Sequence, residues 1–299
     1  MAWLSALTTH AAVARLARDG RARVAGGVLL LVVVAALAAP VLAPYDPTAQ
    51  LGIDRLHNLP PSWAHPMGTD PFSRDVLSRV LWGARISLAV AFVAVSLSIT
   101  LGILVGALAG YAGGLVDAVA MRIVDTALSI PRLLLLIAVV ALWQNLGLTA
   151  LTLLLAGTGW FGVSRLVRAE TLAVRERDFV VAARMLGASP WRILTRHVLP
   201  NVLAPGLVAA TLGIANVILL EAGLSYLGIG VQEPTASWGR IIQDGSQRVA
   251  DLWWLTLFPG LAILVTVFAC NALGDALRDA LDSRQLPPPL GDDTPHLTR

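Results

Sequence analysis

The sequence predicts an all-α integral membrane protein with six spanning helices. Hydrophobic residues make up 56% of the chain and charged residues 14%, where soluble domains carry about a quarter charged residues. Mean hydropathy is +0.72. The apolar residues fall into six runs, most of them near the ~20 residues a helix needs to cross the hydrocarbon layer. The basic residues, all of them arginine, crowd to one side of the membrane when these runs are threaded through it.

The first run is Val24 to Ala43, the second Ala84 to Ala109 and the third Leu128 to Leu142. The fourth is Leu148 to Val167, the fifth Leu203 to Leu227 and the sixth Trp254 to Leu273. The first run, with its preceding arginines and Ala36-Leu37-Ala38, also fits a secretory signal peptide. Its length and the spans that follow favour a retained helix. With the N-terminus inside, sixteen of the 22 arginines fall on the inner side and six on the outer. That asymmetry predicts cytoplasmic termini. Arg132 is counted with the inner side.

The domain plan has a cytoplasmic segment 1–23, the first span 24–43, an outer segment 44–83, a five-helix core 84–281 and a tail 282–299. The front of the outer segment is rich in proline and reads as irregular chain. From Ser73 on, Val76, Leu77, Val80 and Leu81 follow a helical period. Ser73 suits an N-cap and Asp75 a first turn, predicting a short amphipathic helix on the membrane before the second span. The tail is rich in Pro and Asp and reads as disordered.

A polar island, Val181 to Pro200, interrupts the apolar pattern between the fourth and fifth spans. Ala182, Ala183 and Leu186 share one face of a first short helix, which Arg184 continues. Gly187 permits the left-handed conformation that ends it. After Ala188, Ser189 caps a second helix with Pro190 at its first position. Trp191, Leu194 and Val198 are expected on one face of that helix, with Arg192 and Arg196 elsewhere. Leu199 and Pro200 close it. Helices this short need a partner surface, which is either another protein or lipid headgroups.

Other features are sparser. Gly102, Gly106 and Gly110 repeat every four residues and allow close helix approach, within the chain or against a partner. Glu221 is an acid near the outer end of the fifth span. It is placed where water can reach it, and a structural or gating role is favoured over substrate binding. Asn216 lies one turn deeper and faces either the pathway or a neighbouring helix. Arg122 is expected to pair with Asp117 or Asp125 at helical spacing.

Several classes are excluded. The net charge of +3 is too small, and too concentrated at span ends, for nucleic-acid binding. The lone Cys270 cannot form an intrachain disulfide. The five histidines show no metal spacing. There is no phosphate-binding loop, and no hydrolase or metalloprotease motif. A secondary transporter usually carries buried ionisable residues or helices broken at mid-membrane; here the acids cluster at span ends, and no charged intramembrane pocket is expected.

The island resembles the cytoplasmic coupling loop of permease subunits in binding-protein-dependent ABC importers. That signature is Glu-Ala-Ala, Gly four residues later, and Ile-x-Leu-Pro after nine more. Ala182, Ala183, Gly187, Leu199 and Pro200 fit it, while Val181 replaces the Glu and His197 the Ile. His65-Pro66-Met67-Gly68-Thr69-Asp70, Arg74-Asp75-Val76-Leu77-Ser78-Arg79 and Gly83-Ala84-Arg85-Ile86-Ser87-Leu88 resemble the peptide and nickel branch. Glu221 to Gly228 and Leu273 to Asp282 continue the match. The resemblance is to the C-type subunit of dipeptide and oligopeptide importers. It implies the type I importer permease fold in a bacterial plasma membrane. Its implied partners are a second, homologous permease subunit, two ATPase subunits on the coupling loops, an extracytoplasmic binding protein and membrane lipid. ATP and Mg would be used by the ATPase subunits, with no cofactor or metal on this chain and no enzyme activity of its own. The residues assigned to coupling are Ala182, Ala183, Arg184, Gly187, Ala188, Trp191, Arg192, Leu199 and Pro200.

Overall fold

The computed structural model describes residues 15–143 and 146–281. The tail from 282 and the first fourteen residues of the N-terminal segment lie outside the described residues, as do Arg284 and Arg299 of the orientation argument. The described chain is helical. Helix α1 spans Gly20–Leu37, and α2, Ala39–Leu42, follows at a break beside Pro40. A one-turn helix, α3 (Ile53–Leu56), interrupts the irregular segment that follows. The remaining elements are α4 (Val76–Ala112), α5 (Gly114–Leu128), α6 (Arg132–Leu142), α7 (Leu148–Arg175), α8 (Asp178–Met185), α9 (Pro190–Ile193), α10 (Leu199–Tyr226), α11 (Trp238–Gly245) and α12 (Trp253–Leu281).

Five helical stretches are long and apolar enough to cross a membrane: α1, α4, α7, α12 and the continuous path Pro190–Tyr226. The third predicted span is not one straight helix. The pair α5 and α6 is bent by 80°, and α6 alone covers about 16 Å. Pro131 is the cause. It supplies no N–H to a continuing helix and disfavours helical backbone at Ile130. The predicted run Leu128–Leu142 ignored that break.

The segment before the second span also differs from expectation. There is no separate helix lying on the membrane: Val76 to Ala112 is one helix of 37 residues, about 55 Å long. Asp75, not Ser73, is its N-cap, accepting from the Ser78 N–H at 2.8 Å. Ser73 sits at φ 59 in the tight turn before it. Val76, Ser78, Arg79 and Val80 are buried against protein, so this first turn and a half belongs to the core.

Helices α4 and α7 make the most extensive contact of the bundle. Gly102, Gly106 and Gly110 form its seam. A Cβ on Gly106 would stand 2.5 Å from the Ser164 carbonyl oxygen and 2.9 Å from the Val167 Cβ. A Cβ on Gly102 would meet Val163, and one on Gly110 would meet Arg168 and Thr171. The glycines thus face a helix of this same chain. One apolar core joins α4, α7, α10, α11 and α12 around residues such as Val80, Leu155, Ile218, Trp238 and Leu255. A second, smaller core lies at the far end of α4 around Ala107, Val174, Val180, Ile193 and Val198. Large apolar residues such as Leu31, Phe92, Leu104, Leu134, Leu264 and Phe268 remain exposed, as lipid contact requires.

Candidate functional site

Two ends of the bundle carry organised polar chemistry, and a cavity lies between them. The first end is the island. Helix α8 ends on a Schellman motif: the Ala188 N–H reaches the Ala183 carbonyl at 3.1 Å and the Gly187 N–H reaches that of Arg184 at 3.0 Å. Gly187 takes φ +79, which any side chain would strain. Ser189 then accepts from the Arg192 N–H at 3.4 Å, and Pro190 opens α9.

The chain does not stop at Pro200. Leu194–Val198 forms a π turn, with the Leu199 N–H reaching back to the Leu194 carbonyl, and the helix runs on to Tyr226. In ordinary α geometry the Pro200 ring would collide with the Arg196 carbonyl. The wider turn makes room for it. The second island helix and the fifth span are therefore one continuous helical path, with Pro205 inside it.

The π turn also redistributes the faces. Val180, Ile193, Leu194 and Val198 are buried in the second core and seat the island on α7 and α4. Trp191 does not join Leu194 and Val198; it is 69% exposed. Met185 is 85% exposed and Leu186 88%, and Val181 and Ala182 also face outward. Ala183 and Ala188 are half-buried. Arg184 and Arg192 are exposed, and among the described residues no ion pair involves them or Arg177 and Arg196. The tip is thus a firmly seated platform of apolar side chains and unpaired arginines.

At the opposite end Arg74, Arg79 and Arg240 each meet carboxylates. Asp70 accepts from the backbone N–H groups of Phe72 and Arg74 at 2.8 Å each, from Arg74 Nε at 2.6 Å, and from Arg79. Asp244 on α11 accepts from Arg79 at 2.7 Å and from Arg74 at 3.2 Å, and pairs with Arg240 at 3.3 Å. Glu233 receives Arg74 at 3.2 Å and Arg240 at 3.3 Å. Burial alone would lower the Arg74 guanidinium, but Asp70, Asp244 and Glu233 overcome it and hold it above its ordinary range. Burial would likewise raise the Glu233 carboxyl, while Arg74, Arg240 and Arg79 bring it below its ordinary value. The His65 ring and Ser78 complete the cap on Asp75. Sequence reading missed this network. The recurrence of acid and base at 70, 74, 75 and 79 was its only local signal.

Glu221 sits just beneath the cap. It is buried in protein rather than hydrated, accepting from Ser87 Oγ at 2.9 Å and Ser225 Oγ at 2.7 Å. Ser225 Oγ in turn accepts from the Val231 N–H at 3.0 Å. The carboxyl ties α4 to α10 and the loop leading to α11. Asn216 lines a cavity of about 340 Å³ between α4, α7 and α10, together with Ser98, Arg132, Val163 and Leu212. The expectation of a pathway without charge fails here, because Arg132 lies in that cavity. The expected Arg122 pairs are also absent: Asp117 takes Arg168 in a two-pronged contact at 2.5 and 2.6 Å, and Asp125 takes Arg165 at 3.7 Å. These contacts join α5 to α7, while Arg122 is exposed. No cluster of His, Cys, Asp or Glu able to hold a metal occurs among the described residues.

The bundle thus carries a seated loop with an exposed apolar tip at one end and a closed polar cap at the other. Residues 102–286 match the model of the binding-protein-dependent transport system inner membrane component. The chain belongs to that family. Residues 9–61 match a second model, the N-terminal transmembrane domain of oligopeptide transport permease C. A putative peptide transport system permease protein of Brucella abortus biovar 1 (strain 9-941) is 43% identical over 273 residues, 90% of each chain. A putative peptide permease protein of Brucella suis biovar 1 (strain 1330) is 43% identical over 270 residues, 89% of this chain and 88% of the relative. The dipeptide transport system permease protein DppC of Bacillus subtilis (strain 168) is 38% identical over 258 residues, 86% of this chain and 80% of the relative. This is a family of membrane permeases of ABC transporters, not of enzymes, and this member is an integral membrane protein.

Proposed function

We propose that this permease forms one half of the import pathway for di- and oligopeptides in a bacterial plasma membrane. A second, homologous permease subunit supplies the other half. Two ATPase subunits, which use ATP and Mg, dock on the two coupling loops, and an extracytoplasmic binding protein delivers the peptide. The termini and the Gly187 end face the cytoplasm; the Asp70 cap faces out. This chain binds no cofactor. The observation that carries the reading is the exposed tip formed by Met185, Leu186 and Trp191 beside Arg184 and Arg192. Such a patch on an otherwise seated loop favours a protein partner.

The mechanism follows from the continuous path. ATP binding closes the ATPase pair and displaces the tip. Because α9, the π turn and α10 are continuous, the displacement is passed along one helical path to the Glu221 junction. There Ser87 and Ser225 transmit it to α4 and to the loop that positions α11. The Arg74–Asp70–Arg79–Asp244 network keeps the cap in one piece while the helices below it separate.

Copurification tests this. ATP-hydrolysing subunits are expected with the intact chain and absent with Gly187→Arg, which strains the Schellman turn. Because that variant also perturbs the turn itself, Leu186→Asp serves as a second variant with the turn intact. ATPase subunits retained by both variants would overturn the docking role and leave lipid headgroups as the partner of the loop.

A further inference from the structure

The cavity beside Asn216 holds a charge that the rest of the molecule does not answer. Arg132 opens α6, just after the Pro131 break. Its Nε donates to Thr158 Oγ1 at 3.2 Å and its Nη2 to the Leu155 carbonyl at 2.8 Å. Among the described residues it takes part in no ion pair, although Arg74, Arg79 and Arg240 each meet a carboxylate.

Its depth makes this costly. The neighbours of Arg132 lie far from both ends. Leu155 is about 10 Å of helix from Leu148, where α7 begins. Ser98, whose Oγ donates to the Ala156 carbonyl at 2.9 Å, is about 21 Å of helix from Ala112, where α4 ends. A guanidinium at this depth is expensive to insert and is normally found facing a bundle interior or a water-filled path. Arg132 does face a cavity, lined on the other side by Asn216 and Gly213 of α10. Both of its hydrogen bonds go to neutral oxygens, and a neutral donor would hold α6 to α7 equally well. The charge itself is left for something that enters.

We propose that Arg132, with Asn216 opposite, is a substrate-contacting site of the translocation pathway that receives the carboxylate terminus of the passing peptide. This rests on the permease reading above. The chemistry suits a sequence-tolerant transporter. Every unmodified peptide ends in a carboxylate whatever its side chains, and an arginine can engage that group through two parallel N–H donors. In the low dielectric of the cavity the attraction acts over the whole approach. Asn216 offers both a donor and an acceptor at the facing wall. The site would be transient, since a charge bound too well would not leave.

The test uses the assembled transporter carrying Cys270→Ala and Asn216→Cys. Modification of residue 216 is followed by mass with two thiosulfonate reagents, one anionic (sulfonatoethyl) and one cationic (trimethylammonioethyl). The anionic reagent is expected to react at least about tenfold faster relative to the cationic one, and Arg132→Gln is expected to erase that preference. In parallel, Arg132→Gln in the otherwise intact transporter should lower uptake of a dipeptide free acid about tenfold while leaving its C-terminal amide unchanged, and Arg132→Lys should restore most of the loss. Equal rates for the two reagents, or a preference that survives Arg132→Gln, overturn the proposal. So does an equal fall for acid and amide, which would make Arg132 only a brace between α6 and α7. Failure of the permease reading shows differently, as a chain that purifies without ATP-hydrolysing subunits.

Discussion

At the Asp70 end of the bundle, three arginines meet three carboxylates; at the Gly187 end, four arginines of the loop meet none among the described residues. The same residue type thus does opposite work at the two ends. In the cap, Arg74 and Arg79 are almost fully buried, and their partners come from positions as far as 170 residues away in sequence. Removing one partner there strands a charge. In the loop, apolar residues on the inward face provide the seating, and the outward face stays exposed. The cap is closed chemistry; the loop is unfinished chemistry.

The largest expected effect lies in the cap. Asp70→Ala leaves two buried guanidinium groups short of their shared carboxylate and should cost about 3–5 kcal/mol. Thermal unfolding of the purified chain in detergent measures it, and a loss no greater than that of Arg192→Ala would erase the contrast between the ends. Next comes the seam that carries both. Gly106→Val should force α4 from α7 and cost about 1–3 kcal/mol or more, read in the same assay. A neutral result would mean that the two helices separate freely.

Glu221→Ala should cost about 1–3 kcal/mol by leaving the Ser87 and Ser225 hydroxyls without their acceptor, while Glu221→Gln keeps an acceptor and should cost about 1 kcal/mol. Equal losses for the two substitutions would show that the charge, not the hydrogen bonds, matters at that junction. The smallest effect is a pH dependence. Glu233 is held below its ordinary 4.5 by Arg74 and Arg240. Its contribution is therefore present above that value and fades as pH falls through the lower folded-state value. Because its side chain is more than a third exposed, the effect is screened and modest. Melting temperature should fall more steeply as pH drops from about 5 to about 3 in the intact chain than in Glu233→Gln; parallel curves would remove Glu233 from the network.

The two ends also differ in how much of them the sequence discloses. The loop is local: Gly187, Ser189 and Pro190 each dictate a backbone event within a few residues, and each event occurs where their chemistry places it. The cap is not local, since Asp70 and Asp244 are joined only by the fold. Two prolines mark where a simple reading of apolar length goes astray. Pro131 breaks a run that looks continuous, and Pro200, which looks like a stop, is absorbed by a π turn. Arg132, counted with the inner side, opens α6 just after the first of these breaks and lines the cavity. Arg122 was misassigned because helical spacing within α5 is a weaker attraction than a two-pronged contact from α7.

The contrast is tested most directly by a change confined to the tip. Leu186→Asp alters an exposed side chain, so the melting temperature of the chain should stay within the small range of surface substitutions, about 0.5 kcal/mol. The purified complex should nevertheless lose its ATP-hydrolysing subunits. If Leu186→Asp combined with Trp191→Asp still copurifies with those subunits at intact stoichiometry, the Gly187 end is not their docking surface and the account fails.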